Sequence, residues 1–128
     1  MLGHTYRYHV YNDTGVSVTV TVKDRAWKFA SDGSRTDASE STPISAVSVG
    51  AGAYSSSSAI DNSTAKQLGA HITATLAPGS SATGTVAVYL QHSTDGGTTW
   101  PSNGQGVLLG GATFSASSTS PLINGETL

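Results

Sequence analysis

The sequence predicts an all-β protein built as an antiparallel β-sandwich of about seven to nine strands. Three observations predict it. Apolar side chains recur at every second position through most of the chain, and clusters of Gly, Asn, Asp, Pro and Ser interrupt them at short intervals. No window combines a 3.6-residue apolar period with capping residues, as a helix requires.

The alternation begins at once. In residues 5–11, Tyr6, Tyr8 and Val10 point one way while Arg7, His9 and Tyr11 point the other. Asn12-Asp13-Thr14-Gly15 follows as a turn cluster, with Gly15 available for a positive-φ position. Val16, Val18, Val20 and Val22 then alternate with Ser17, Thr19, Thr21 and Lys23 in the cleanest strand of the chain. These two segments are expected to pair as a hairpin. Residues 26–30 form a short strand with Trp27 and Phe29 on one face. Residues 31–42 contain no apolar side chain larger than Ala38, which predicts a long surface loop.

Residues 43–49, with Ile44, Val47 and Val49, can make another strand. Residues 50–58 are small, Tyr54 excepted, and residues 60–64 suit a loop held by local side-chain bonds. In residues 68–76, Leu68, Ala70, Ile72, Ala74 and Leu76 alternate with His71, Thr73 and Thr75. A turn at Pro78-Gly79-Ser80-Ser81 leads to residues 85–92, where Val86, Val88 and Leu90 oppose Ala87, Tyr89 and Gln91. Residues 93–106 are heavily punctuated, and residues 107–109 and 112–115 give the last strands. One domain over residues 1–115 is expected, with residues 116–128 a weakly patterned tail that docks on a neighbouring subunit or frays. A jelly-roll and an immunoglobulin-like strand order both fit.

Composition narrows the function classes. The chain has 128 residues, enough for one domain with a real core. Only 11% are charged, against roughly 25% in an average domain, and 20 Ser and 17 Thr take their place. A net charge of −2, with six basic and eight acidic residues scattered along the chain, provides no footprint for nucleic acid or an anionic membrane. The absence of cysteine excludes disulfides, thiolate metal sites and a cysteine nucleophile. Residues 1–8 lack the basic segment and apolar run of a secretory signal, so synthesis in the cytoplasm as a soluble protein is expected.

One local motif is sharp. Ser93-Thr94-Asp95-Gly96-Gly97-Thr98-Thr99-Trp100 matches Ser-x-Asp-x-Gly-x-Thr-Trp, and is similar to the Asp box at hairpin turns of sialidases and other propellers. An Asp in a tight turn accepts bonds from the N–H groups that follow it, and adjacent glycines relieve positive-φ strain. Ser93, Asp95, Gly97, Thr99 and Trp100 are therefore expected to build a rigid structural hairpin. A propeller needs several such repeats, and this chain has one.

Asp61 and Asp95 are the carboxylates a glycosidase would pair, although both lie in turns where Asp commonly serves the backbone. His4, His9, His71 and His92 show no metal-ligand spacing, and no Gly-x-Ser-x-Gly elbow marks a nucleophile. No catalytic residue, metal or cofactor is expected, and hence no enzyme. Trp27, Phe29, Tyr54, Tyr89 and Trp100 offer either core packing or a platform for sugar rings. Tyr89 stands opposite Val88 and Leu90 in its strand, which makes it the candidate for a subunit contact.

Residues 59–64 (Ala-Ile-Asp-Asn-Ser-Thr), residues 84–90 (Gly-Thr-Val-Ala-Val-Tyr-Leu) and the hairpin through Pro101 resemble small virion structural proteins of tailed bacteriophages. The resemblance covers about residues 59–109. It implies a β-sandwich present in many copies on the particle, as a capsid decoration or cement protein, or as a tail, collar or fibre component. Partners would then be other copies of the chain and other virion proteins, after synthesis in the host cytoplasm. It carries over no catalytic residue. A glycan-binding attachment module is the alternative from another class.

Overall fold

A computed structural model describes residues 2–117 and 122–127. The chain is all β: two antiparallel sheets pack face to face, as the alternation predicts. Ten strands run in the order β1 (Thr5–Thr14), β2 (Val18–Phe29), β3 (Arg35–Asp37), β4 (Ser41–Val49), β5 (Tyr54–Ser56), β6 (Ile60–Asp61), β7 (Gly69–Pro78), β8 (Ala82–Ser93), β9 (Val107–Ser117) and β10 (Leu122–Thr127). The number exceeds seven to nine because β3, β5 and β6 are too short to show a periodic signal.

The first sheet has the order β5-β1-β8-β9, with β6 on the same side of β1 as β5. The second has the order β10-β7-β2-β3, with β4 also on β2. The inward faces carry most of the side chains that alternation assigns to them, Leu68, which precedes β7 and is exposed, excepted. Tyr6, Tyr8, Val10, Val86, Val88 and Leu90 from one sheet meet Val18, Val20, Val22, Ile72, Ala74 and Leu76 from the other. Each is nearly or fully buried, so most of the hydrophobic stabilisation lies between the sheets.

The expected hairpin of residues 5–11 with residues 16–22 does not form. β1 lies between β8 and the short strands β5 and β6, whereas β2 pairs with β7, β4 and β3. The segment between β1 and β2 crosses from one sheet to the other, and Asn12 is the reason. Its buried amide Nδ2 donates to the carbonyls of Val16 (2.8 Å), Val49 (2.9 Å) and Gly50 (3.1 Å), and its Oδ1 accepts from Thr14 N and Thr14 Oγ1. These bonds hold the crossover and the β4–β5 turn together. The tyrosine-bearing face of β1 and the valine face of β2 can then bury against each other across the core instead of side by side.

Other segments differ from expectation: residues 26–29 continue β2 instead of forming a separate strand, and residues 60–61, expected in a loop, form β6 along β1. Residues 31–42 include β3, which folds back on the end of β2 in the register Phe29↔Arg35, and the first residues of β4. All three residues of β3 are exposed, so no alternation marks it. Within the expected tail 116–128, Leu122–Thr127 form β10 along β7 of the same chain; residues 118–121 and 128 lie outside the described residues. At this flank β9 and β10 meet closely. A Cβ on Gly125 would lie 2.8 Å from the Leu109 carbonyl, and one on Gly110 would strike Ile123 Cγ2. The opposite flank, between β4 and the β5–β6 side, stays open over a cleft.

Candidate interaction face

The outer face of the first sheet gathers the aromatic and motif residues. Odd-numbered positions of β1 and β8 point outward there, and the register Arg7↔Gln91, His9↔Tyr89, Tyr11↔Ala87 sets them in rows. β5 extends two rows with Ser56 beside His9 and Tyr54 beside Tyr11. β9 extends them with Leu108 beside Tyr89 and Gly111 beside Ala87.

Residues 94–106 fold back over one half of this face. The turn at its start is organised by Asp95, whose Oδ1 accepts from Ser93 Oγ (2.7 Å), Thr99 N (2.8 Å) and Thr98 N (3.1 Å). Ser93 Oγ in turn accepts from Gly97 N at 2.9 Å, where Gly97 has φ 98°. Hydrogen bonds from Thr99 and then Ser93 hold the Asp95 carboxyl well below the usual carboxylate range. Trp100 is half-buried: its Nε1 donates to Gly97 O (3.0 Å), and the Arg7 guanidinium lies 4.4 Å from the ring centroid. Arg7 Nε also donates to Gln91 Oε1 (2.8 Å), and the fully buried Gln91 donates from Nε2 to Gln105 O (2.7 Å). Gln91 thus fastens the far end of the loop to the sheet.

His9 points outward, as its parity requires, yet is only 1% exposed because this loop and β5 cover it. Gly104 N donates to its Nε2 (3.2 Å), so Nε2 carries no proton and Nδ1–H donates to Ser56 Oγ (2.7 Å). Its ring stacks on Tyr54 at 5.5 Å, and Tyr54 stacks on Tyr11 at 4.5 Å. Burial, and secondarily the Arg7 charge, push the His9 pKa below its ordinary value. The unfolded chain therefore takes up the proton first as pH falls below about 6.5. Stability is expected to be level above that pH and to fall beneath it, down to the depressed folded-state value. Urea unfolding at pH 7.5 and pH 5.5 checks this; His9→Gln should remove most of the difference, and an unchanged difference would assign it to another group.

The uncovered half of the face has a small floor, Ala87 and Gly111, with Tyr11, Tyr54, Tyr89 and Leu108 around it. Tyr54 is 38% exposed and Leu108 60%. Tyr89 is half-exposed, its ring tilted against His9 at 6.4 Å. No charged residue is in the patch; Asp13 stands at its edge and takes the Tyr11 hydroxyl. Such a surface, rich in tyrosine and free of charge, has the character of an interface centre.

The other candidates are placed as follows. Trp27 is buried on the outer face of the second sheet beside Gly69, its ring met edge-on by Phe29 (5.6 Å) and covered by the Arg35 guanidinium (5.1 Å). Asp61 and Gly96 border one shallow depression at the end of the molecule. The Asp61 carboxylate accepts from Ser63 N at 2.8 Å, and Ser63 holds it below its ordinary pKa. Asp61 and Asp95 thus each bond the backbone of the residues that follow them. Among the described residues, no group of three or more His, Asp or Glu side chains could hold a metal ion, and no helix is long and apolar enough to cross a membrane. The chain matches no protein-family model, no curated protein and no solved structure.

Sequence patterns marked Tyr89 and the Asp95 turn but missed Gln91 and His9 as the anchors of the loop. Their partners, Gln105 and Gly104, are ordinary loop residues, and no local signal links positions 14 and 95 residues apart.

Proposed function

We propose that the protein is a non-enzymatic virion structural protein of a tailed bacteriophage that works by multicopy assembly, with capsid decoration or cement ahead of a tail or collar role. The observation that carries the assembly reading is the uncharged patch of Tyr11, Tyr54, Tyr89 and Leu108 on the outer face of the first sheet. The bacteriophage assignment rests on the resemblance of residues 59–109. Tyrosines here are held by the sheet, so little conformational entropy is lost when a partner covers them. Burial of such a patch against another copy is the economical way to satisfy it.

The glycan-attachment alternative has less support. Tyr54 turns its ring toward His9 and Tyr11, and Trp100 carries Arg7 over its ring, so these rings form no open coplanar row for sugars.

Sedimentation velocity tests the proposal. The wild-type chain is expected to form a trimer or larger closed ring, and Tyr89→Asp with Leu108→Asp to return it to a monomer of unchanged melting temperature. Both positions are at least partly exposed, so the charges do not enter the core. A wild-type chain that stays monomeric across the accessible concentrations, or a double variant that still assembles, would defeat this reading.

A further inference from the structure

The cleft on the open flank has the composition of a cation site. It has a volume of about 380 Å³ and lies between β4 and residues 57–62, with Tyr6 and Asp24 among its lining residues. The row Val18, Val20, Val22 continues at the same parity to Asp24, which places a carboxylate at the end of the apolar face. Asp24 is only 6% exposed. Tyr8 donates its hydroxyl to Oδ2 at 2.7 Å, and Ser41 donates its own to Oδ1.

Both partners are neutral. The ion pairs among the described residues, Lys23–Glu40, Arg35–Asp37 and His71–Glu126, all leave Asp24 out. A carboxylate so deeply placed is costly without a positive counterpart. No Lys or Arg belongs to the lining. The nearby Lys28 is held by the Ala65 carbonyl at 3.0 Å.

Gln67 gives an independent observation. Its Oε1 is buried in the lining without a hydrogen-bond partner, although its backbone is fixed by Asn62 through Gln67 N–H to Oδ1 (2.8 Å) and Asn62 Nδ2 to Gln67 O (2.9 Å). An unused acceptor in a built position asks for a donor. Ala26, Ala38, Pro43 and Ile60 supply apolar wall between these polar groups.

We infer that the cleft binds a small aliphatic ammonium or guanidinium group, its charge facing Asp24, its N–H reaching Gln67 Oε1 and its stem along the apolar wall. The chemistry is common to a free amine and to a Lys or Arg side chain from a second copy. The volume lies at the small end of ligand pockets, which suits either.

Amide chemical shifts of the full chain, titrated with n-butylammonium chloride and with n-butanol at matched ionic strength, test this. Saturable shifts at Tyr6, Ser41, Ile60 and Gln67 are expected with the cation, and binding at least roughly tenfold weaker with the alcohol. Asp24→Asn should erase the preference for the cation. Should that variant not fold, Ala38→Leu, which narrows the cleft, should weaken the cation while leaving Asp24 in place. Equal binding of the two probes, shifts elsewhere on the surface, or indifference to both substitutions would overturn the inference. Sedimentation separates the sources: dispersal of an assembly by butylammonium assigns the cation to a second copy, and binding with no change in assembly assigns it to a free amine. The Tyr89 and Leu108 substitutions lie on another face, so this site and the proposed assembly face can fail separately.

Discussion

Leu76→Asp is expected to abolish cooperative folding, whereas Thr75→Asp, one residue away, leaves it intact. Leu76 is fully buried and sits beside Val20 across the β2–β7 ladder, its side chain directed into the space between the sheets. A carboxylate there meets valine, leucine and alanine with no donor available. The penalty of several kcal/mol, added to the lost leucine packing, reaches the whole stability of a domain this size, about 5–15 kcal/mol. Thr75 points to the opposite, exposed face, opposite Thr21. Near-ultraviolet circular dichroism and a thermal melt distinguish the two: Leu76→Asp should show neither aromatic fine structure nor a transition. Equal melts would mean that the faces of β7 are assigned the wrong way round.

Asn12→Ala is expected to be the most damaging change at a polar position, costing roughly 3–5 kcal/mol. The substitution takes the Nδ2 donor from the buried Val49 carbonyl and the Oδ1 acceptor from the buried Thr14 N–H, while the Val16 and Gly50 carbonyls keep Thr14 Oγ1 and Ala53 N as donors. Each buried group stripped of a partner costs about 1–3 kcal/mol, with part recovered by relaxation or water. The size of the effect comes from convergence, because the crossover between sheets and the β4–β5 turn hang on one amide. Asn12→Asp keeps the shape and removes the donor. It should destabilise at least as much, which separates lost hydrogen bonds from lost volume. Urea unfolding measures both, and a loss below roughly 1 kcal/mol for Asn12→Ala would show that the crossover is held by other contacts.

The two readings of residue 12 show why the strand partners could not be read locally. Asn followed closely by Gly between alternating segments is the ordinary signal of a hairpin, and it is a good description of the four residues alone. The competing requirement comes from far along the chain, where Val49 and Gly50 bring two more carbonyls to the same amide. Asp24 is a contrasting case. Its inward direction was available from the parity of Val18, Val20 and Val22, but its hydroxyl partners Tyr8 and Ser41 lie 16 and 17 positions away.

The sequence by itself determined that the chain is an all-β sandwich and which side chains of its long strands meet in the middle, because two-residue periodicity is a property of neighbouring residues. Tertiary structure alone decided which strands lie side by side, that Leu122–Thr127 joins the second sheet, that His9 is covered, and that a cleft opens beside Asp24. Backbone ladders form between any extended segments irrespective of their side chains. The choice among them therefore rests on long-range packing and on a few buried polar groups, Asn12 and Gln91 chief among them, whose partners are remote in the chain.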